Sequence, residues 1–282
     1  MAKNVTVAAV QLSSGTDPVF NVDTAISLVH EAADRGASYV QLPEYFNYLG
    51  PAQGFGAVAE SIPGPTTERM ADVALERGVT LHVGSLLERS LEPDKFFNTS
   101  VLFGPDGRIV ATYRKIHLFD VDVPGAVVHR ESDAILAGNQ MVVARLDSFA
   151  LGMTVCFDLR FPELYRSLSA SGAEVLAIPA AFNASTGQAH WETLVRARAI
   201  ENHAFVVAAA QVGVTLDGVA TYGHSLIVDP WGTIADESKS DEPAVVVATL
   251  DIDDVDRRRR QISVMDFRRP DVYGGVVHFF AQ

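Results

Sequence analysis

Short apolar runs, each about the length of a buried β-strand, alternate along the chain with segments of helical periodicity. We predict strands over residues 5–12, 38–42, 80–85, 98–103, 109–114, 141–145, 150–155, 174–179, 205–211, 224–228 and 244–250, and helices over 21–35, 66–77, 162–170 and 190–202. This alternation is typical of α/β proteins. The turn sequences at 104–107 and 229–232 each join two strand-like runs and predict hairpins. The pattern therefore predicts two similar halves, each running strand, helix, strand, helix, strand and then hairpin.

The composition is that of a soluble globular protein with a substantial core. The 282 residues are 48% hydrophobic and no linker rich in Gly, Ser or Pro separates the halves, so 1–282 is interpreted as a single domain. The formal charge of −13 argues against nucleic acid or a membrane surface as a partner. The basic run 257–260 follows acidic residues in one short predicted helix, which suits the helix dipole. No apolar run approaches the roughly 20 residues that a membrane helix requires.

The one cysteine of the chain, Cys156, follows the apolar run 150–155 and precedes a predicted helix. A thiol at such a strand-to-helix junction lies at the edge of a sheet, where free backbone N–H groups favour a thiolate and can donate to an oxyanion. The alternative is a buried cysteine that acts as a small hydrophobic residue. One cysteine allows no intramolecular disulfide, which fits a reducing compartment and predicts a cytoplasmic protein.

A cysteine nucleophile needs a base, because an unperturbed thiol is mostly protonated at neutral pH. Four of the eight histidines are candidates for this base, and nothing in the spacing selects one of them. They are His117, His190, His203 and His224. Glu44 and Lys115 each follow directly after a strand-like run, and reactive groups at the ends of strands can converge in an open α/β sheet. Taken singly, either residue would more often be an exposed surface charge.

Three segments around these residues carry a family resemblance. Residues 42–46 (LPEYF), 113–120 (YRKIHLFD) and 156–164 (CFDLRFPEL) resemble the three signature segments of the nitrilase superfamily of carbon–nitrogen hydrolases. The resemblance implies a four-layer α-β-β-α sandwich that pairs through its helical faces into a homodimer. It also implies that Glu44 is the general base, Cys156 the nucleophile and Lys115 the cation that stabilises the tetrahedral intermediate together with the backbone N–H of Phe157. No metal or organic cofactor is required.

The same resemblance suggests further site residues. Residues 117–140 form the least regular stretch, and in it Glu131 resembles a second glutamate of the family that holds the lysine, with an ordinary loop carboxylate as the alternative. Residues 182–192, 196–202, 222–225, 229–232 and 267–274 resemble the Nit group of amidases, which act on ω-amides of small oxo-dicarboxylic acids such as α-ketoglutaramate and deaminated glutathione. In that group the tail, here 262–282, commonly packs across a dimer.

A substrate with a carboxylate needs a second cation in the pocket. Arg160 is the first candidate, with Tyr45 and Asn183 as groups of the pocket wall, although Arg160 could equally brace Asp158 or the following helix. The sequence therefore predicts an amidase that takes a small-molecule amide. A short neutral amide, an N-carbamoyl amine or a nitrile remain alternative substrates, and a catalytically silent binding protein is a more distant one. No cluster of Cys or His has metal-ligand spacing, and no Gly-x-Gly-x-x-Gly turn follows the first strand.

Overall fold

The computed structural model describes residues 3–123, 127–216 and 218–273. Two sheets pack face to face. In spatial order the first contains β18 (Ala244–Asp251), β1 (Asn4–Gln11), β2 (Tyr39–Gln41), β3 (Thr80–His82), β5 (Phe96–Phe103) and β4 (Leu86–Arg89), and β6 (Ile109–Arg114) and β9 (Ile135–Leu136) also pair with β5. The second contains β10 (Val142–Arg145), β11 (Ala150–Met153), β12 (Val175–Ala180), β13 (Phe205–Ala210), β16 (Leu226–Val228) and β17 (Ile234–Glu237).

The helices of the described ranges are α1 (Pro18–Asp34), α2 (Phe55–Val58), α3 (Pro65–Arg77), α4 (Pro162–Ala170), α5 (Ala184–Asn202), α6 (Asp253–Gln261) and α7 (Pro270–Tyr273). Four of them cover the outer faces of the sheets. Helices α1 and α3 lie on the first sheet, and α4 and α5 lie on the second. The layers are therefore helix, sheet, sheet and helix, which confirms the predicted α-β-β-α sandwich. None of the helices in the described ranges is long and apolar enough to cross a bilayer.

Alternating side chains on the strands build the core on both sides of the first sheet. On β1, Val7 and Ala9 pack in the cluster that is shared with the second sheet, whereas Ala8 and Val10 pack against α1 and α3. Successive side chains of a strand point to opposite faces, so a strand that is covered on both sides has a continuous apolar sequence. This is why the predicted strands appear as unbroken apolar runs.

The two halves repeat one topology. Strands β1, β2 and β3 are parallel and are connected through α1 and α3, while β11, β12 and β13 are parallel and are connected through α4 and α5. Each set is followed by an antiparallel hairpin, β5–β6 or β16–β17, at the two predicted turns. The expectation of two similar halves is confirmed. The two stacked sheets run in the same direction, because Leu12 after β1 forms a parallel bridge with Gln211 after β13, so the segments after β2 and β11 lie at the same end of the sandwich.

Three local expectations differ from the structure. The stretch 117–140 is more regular than predicted, because it contains the hairpin β7 (Asp120–Val123) and β8 (Val127–Arg130). Helix α5 begins at Ala184, six residues before the predicted start at residue 190. The acidic residues from Asp253 onward and the basic residues to Arg260 do form one helix, α6, whereas Asp251 ends β18. Arg259 donates to the carbonyl oxygens of Ala173 and Asn202 and is not simply solvated. Strands β14 (Val212–Val214) and β15 (Ala220–Tyr222) form a further pair.

Candidate active site

The cysteine lies on a tight turn just beyond a strand. Strand β11 ends at Met153, and Cys156 begins a short 3-10 helix, Cys156–Arg160, with a φ of 47°. A residue with a side chain rarely adopts this left-handed conformation, which costs about 1 kcal/mol or more and persists only where the surroundings enforce it. The side chain is buried, with 7% of the residue exposed. The predicted junction is therefore a strained turn that presents a single thiol.

A buried carboxylate closes this turn. Oδ2 of Asp158 accepts hydrogen bonds from the Val155 N–H at 2.8 Å and from the Tyr113 hydroxyl at 2.6 Å. Oδ1 accepts from the backbone N–H of His117 at 3.1 Å and from its Nδ1 at 2.7 Å. Asp158 is fully buried, so these four donors replace its hydration. Because Val155 and Asp158 stand on either side of Cys156, the network holds the conformation of the turn.

A second cluster, consisting of Glu44, Lys115 and Glu131, comes from three segments of the first half. Glu44 follows β2, Lys115 follows β6 directly, and Glu131 follows β8. Nζ of Lys115 lies 2.9 Å from Oε1 of Glu44, and 3.0 and 2.8 Å from the two oxygens of Glu131. All three residues are buried. Burial lowers the pKa of Lys115, but Glu131 and Glu44 outweigh it and hold the pKa well above the usual value.

The two clusters meet at the thiol. The Cys156 thiol lies beside the Glu44 carboxylate, and the N–H of Ala181, a residue that lines the same pocket as Cys156, donates to Oε2 of Glu44 at 2.8 Å. Burial, followed by the charge of Glu44, raises the pKa of the Cys156 thiol, and Lys115 opposes this in part. The thiol is therefore neutral at rest and lies beside a carboxylate that can take its proton.

Glu131 is fixed more firmly than an ordinary loop carboxylate. The Tyr45 hydroxyl donates to its Oε1 at 3.0 Å, and the Phe119 N–H donates to its Oε2 at 2.6 Å. Burial raises the pKa of Glu131, but Lys115 and the hydrogen bonds outweigh this and lower it. Sequence reasoning missed Asn98, the buried first residue of the predicted strand 98–103, which donates to both glutamates. A polar residue within an apolar strand run was the available signal.

A small pocket opens onto the thiol. It is lined by Phe119, Cys156, Phe157, Arg160, Ala181, Phe182, Asn183 and Thr186, and its volume of about 20 Å³ holds about one water molecule. Three of the predicted site residues, Phe157, Arg160 and Asn183, thus line the same pocket as the cysteine. Tyr45 is not among the lining residues and instead contacts Glu131. The Asn183 oxygen accepts from the Ser185 N–H and caps α5.

The Arg160 guanidinium lines the pocket and has no carboxylate partner among the described residues. It lies 5.0 Å from the Phe182 ring centre, and its nitrogens are 3.3 Å from Nδ1 of His190 and 3.4 Å from the Thr186 hydroxyl. Over the described ranges, no acidic side chain lies within ion-pair distance of it, and Asp158 is bonded to other partners. Burial lowers the pKa of Arg160. The group is therefore a half-buried cation available to an anionic ligand.

A larger cleft of about 350 Å³ lies elsewhere on the surface. Its lining includes Glu88, Arg114, Asn139 and Gln140, but none of the four clustered groups. The charged pair in it is already satisfied, because Arg114 binds Glu88 through two hydrogen bonds of 2.8 and 2.6 Å. The reactive groups and the pocket next to Cys156 make the smaller cavity the candidate active site.

Comparison with known proteins identifies the family. The sequence pattern described as "Carbon-nitrogen hydrolase" matches residues 6–260, which is most of the chain. The chain belongs to the carbon–nitrogen hydrolase family. It is therefore a hydrolase that acts on carbon–nitrogen bonds other than peptide bonds, and it has the fold of the nitrilase superfamily.

Two curated relatives of this carbon–nitrogen hydrolase have amidase names. The human "Deaminated glutathione amidase" is 40% identical over 278 residues, which cover 96% of this chain and 84% of that protein. The Xenopus tropicalis "Omega-amidase NIT2" is 40% identical over 253 residues, which cover 90% of this chain and 91% of that protein. Both alignments extend over nearly the whole sandwich and support an amidase of the Nit type.

Two solved structures share the fold. Saccharomyces cerevisiae Nit3, described as a member of branch 10 of the nitrilase superfamily, has a TM-score of 0.84 at 29% identity and covers 94% of this chain and 97% of its own. The E41Q mutant of an amidase from Nesterenkonia sp. has a TM-score of 0.76 at 26% identity, with 94% and 97% coverage. That mutant carries the acetamide moiety of fluoroacetamide on its active-site cysteine.

Proposed function

We propose that this enzyme hydrolyses the ω-amide of a small oxo-dicarboxylic acid to the free acid and ammonia. The observation that carries the proposal is the Arg160 guanidinium, which lines the same pocket as Cys156 and has no acidic partner in the described part of the chain. A cation at this position fits a substrate that has an amide at one end and a carboxylate at the other. The printed names of the two curated relatives point to the same substrate class.

The reaction begins with proton transfer from the Cys156 thiol to the neighbouring Glu44 carboxylate. The thiolate attacks the amide carbon and forms a tetrahedral intermediate, whose oxyanion accepts from the Lys115 ammonium and the backbone N–H of Phe157. A single donor of this kind can contribute roughly 3–4 kcal/mol. Glu44 then returns its proton to the leaving nitrogen, so that the C–N bond breaks, ammonia departs and a thioester remains.

Water completes the reaction. Glu44, now a carboxylate again, removes a proton from a water molecule that attacks the thioester carbon. The second tetrahedral intermediate uses the same two donors, and its collapse breaks the C–S bond and returns the proton to sulfur. In the resting site Glu131 and Glu44 together accept from Lys115 at 3.0, 2.8 and 2.9 Å, so one of these three ammonium hydrogens turns to the oxyanion when the intermediate forms. Side chains and backbone groups of the protein, the substrate and one water molecule supply every group that these steps use.

A second candidate substrate is a short neutral amide. The cavity of about 20 Å³ is smaller than an oxo-dicarboxylate amide, and three phenylalanines line it, Phe119, Phe157 and Phe182. Hydrolysis of the larger substrate therefore requires lining side chains to move on binding, whereas a small amide needs less movement. The covalent acetamide adduct of the Nesterenkonia amidase is an example of a small amide reagent at a related cysteine.

Ammonia release from the purified enzyme distinguishes these substrates. α-Ketoglutaramate, deaminated glutathione, a short aliphatic amide, an N-carbamoyl amine and a nitrile are offered side by side, with Cys156→Ala as the inactive control. We expect preference for the oxo-dicarboxylate amides, and we expect Arg160→Ala to raise KM for these substrates far more than for the neutral amide. An equal loss on both substrates would assign Arg160 to structure, and activity retained by Cys156→Ala would refute the assignment of the nucleophile.

We further infer that the enzyme is a single-domain cytoplasmic homodimer. Four exposed apolar side chains lie around α5, α6 and the segment that follows, with exposed fractions of 47% for Ile200, 52% for Trp231, 45% for Ile262 and 81% for Phe267. Such surfaces favour association through the helical layer. The predicted tail contact begins at residue 262, and residues 274–282 lie outside the described part. Light scattering measures the mass, and a monomer at micromolar concentration would contradict this proposal.

A further inference from the structure

The two oxygens of Glu44 have different environments. Oε1 accepts from Nζ of Lys115 at 2.9 Å and from Nδ2 of Asn98 at 2.9 Å. Oε2 accepts from the Ala181 N–H at 2.8 Å, and Ala181 lines the same pocket as Cys156. Oε2 is therefore the oxygen on the cysteine side, and Oε1 is the oxygen that faces the ammonium. A proton that arrives on Oε2 can be passed on to the leaving nitrogen. A proton on Oε1 would instead compete with Lys115 for the lone pairs of that oxygen.

Asn98 is unusual in how it uses its amide. Its Nδ2 donates to Oε1 of Glu44 at 2.9 Å and reaches Oε1 of Glu131 at 3.4 Å, while its Oδ1 has no hydrogen-bond partner among the described residues. The residue is fully buried. A buried acceptor without a partner is unfavourable, yet the opposite orientation would set this oxygen against two carboxylate oxygens. The two glutamates therefore determine the orientation, and both amide hydrogens are directed at them.

The backbone of Asn98 ties this side chain to the lysine. The Asn98 carbonyl oxygen accepts from the Lys115 N–H at 2.9 Å, at the point where β6 ends beside β5. One residue thus fixes the start of the Lys115 side chain through its backbone and one oxygen of Glu44 through its amide. Hydrogen bonds to the charged form of a carboxylate favour that form, and they act most strongly where water is excluded.

We infer that Asn98 is a positioning residue for proton transfer, which holds the negative charge of the resting Glu44 on Oε1 and leaves Oε2 to exchange the proton of Cys156. The inference rests on the proposed function, because it takes Glu44 as the base for this thiol. Asn98 contacts neither the sulfur nor the pocket, and it acts through Glu44. When the two N–H donors of Asn98 are removed, the negative charge of the Glu44–Cys156 pair is less well stabilised, and the pair becomes fully protonated at a higher pH.

The test compares Asn98→Ala with Asn202→Ala. Asn202 is an equally buried asparagine whose Nδ2 donates to the Arg198 carbonyl oxygen at 2.9 Å and whose Oδ1 also has no partner in the described residues, but it lies at the end of α5. Both variants therefore lose a buried amide of the same kind. Urea unfolding reports the structural cost of each, and only Asn98→Ala removes donors from the catalytic cluster.

Two readouts follow the proton. The first is the pH dependence of kcat/KM for the best amide, and the second is the pH dependence of alkylation of Cys156 by iodoacetamide, which needs no turnover. For Asn98→Ala we expect the acid midpoint of both profiles to move up by about one pH unit, with kcat about tenfold lower and KM nearly unchanged. Asn98→Asp adds a third carboxylate and is expected to move the midpoint further. Asn202→Ala is expected to leave both midpoints in place.

Unchanged midpoints in Asn98→Ala and Asn98→Asp, or an equal shift in Asn202→Ala, would overturn the inference. If Asn98→Ala does not fold, Asn98→Asp keeps the shape of the side chain and carries the test. A wild-type enzyme that released ammonia from none of the amides would refute the proposed function instead. In that case the alkylation profiles still decide whether Asn98 controls the protonation of the Glu44–Cys156 pair.

Discussion

Replacement of Asp158 by asparagine tests how the fold holds its nucleophile. The change keeps the size of the side chain but removes its charge and one of its two acceptor oxygens. Each oxygen of Asp158 accepts two hydrogen bonds, at 3.1 and 2.7 Å from His117 and at 2.8 and 2.6 Å from Val155 and Tyr113. In either orientation of the new amide, its NH₂ group faces two hydrogen-bond donors, and it cannot accept a hydrogen bond from either.

The expected loss follows from this count. Two hydrogen bonds to a charged group disappear, and each contributes about 1.5–3 kcal/mol, so Asp158→Asn is expected to lower the free energy of unfolding by about 3–6 kcal/mol. Tyr113→Phe removes one such bond and is expected to cost about half as much. Since the network closes the turn that presents Cys156, a displacement of the sulfur by about 1 Å would lower kcat on the order of 10²-fold.

Urea unfolding and amide turnover measure the two effects, and Tyr165→Phe provides a matched control. Tyr165 is also fully buried, but its hydroxyl bonds to the neutral Thr154 hydroxyl at 2.7 Å. Its loss is expected to cost only about 0.5–1.5 kcal/mol. If Asp158→Asn does not fold, Tyr113→Phe carries the comparison. Equal costs for the two tyrosine variants, with unchanged alkylation of Cys156, would refute the reasoning.

Three further outcomes are expected. Glu131→Gln removes one of the two charges that balance the buried ammonium, so we expect a loss of about 3 kcal/mol in urea unfolding and a kcat lower by about 10². Gly84 has a φ of 52°, and a Cβ there would overlap the backbone before Glu44, whereas Gly78 has a φ of 61° and open space around it. Gly84→Ala is therefore expected to lower the melting temperature and kcat more than Gly78→Ala, which costs about 1 kcal/mol. Burial lowers the pKa of His82 from 6.5 to about 3. As the pH falls, this histidine is protonated in the unfolded chain before it is protonated in the folded chain, so stability is lost between pH 6.5 and pH 3. The loss in the free energy of unfolding amounts to about 2 kcal/mol near pH 5. Urea unfolding at several pH values measures it in the wild type and in His82→Gln, and the same pH dependence in both proteins would contradict this account.

The positions of the reactive groups were predictable because they follow from the topology. Glu44 and Cys156 come shortly after buried parallel strands of the two stacked sheets, and these strands end at the same end of the sandwich. Asn98 was not predictable in the same way, because it stands inside a strand. Which face of β5 turns towards Lys115 is decided by the pairing of β5 with β6, and that register is a tertiary property.

The differences in secondary structure have tertiary causes as well. The start of α5 contains Ser, Thr and Gly, which are weak helix formers, so periodicity alone favours a later start. In the structure, the Asn183 side chain caps this end, and Tyr222 packs so closely on Gly187 that a Cβ there would overlap its ring. The hairpin β7–β8 is closed at its base by the bond from the Phe119 N–H to Glu131 and by contacts between Ser132 and Asp120. None of these contacts leaves a periodic pattern in the sequence.

The charge of the buried cluster restricts both the resting state and the substrate. Lys115, Glu44 and Glu131 together carry one net negative charge while the thiol is neutral, and all of them are buried. A free thiolate would add a second buried charge, whereas transfer of its proton to Glu44 keeps the total unchanged. A substrate carboxylate placed near the glutamates would raise the charge in the same unfavourable way. An anionic amide must therefore present its neutral end to Cys156 and direct its carboxylate towards Arg160, which is why removal of this guanidinium should affect the two classes of amide so differently.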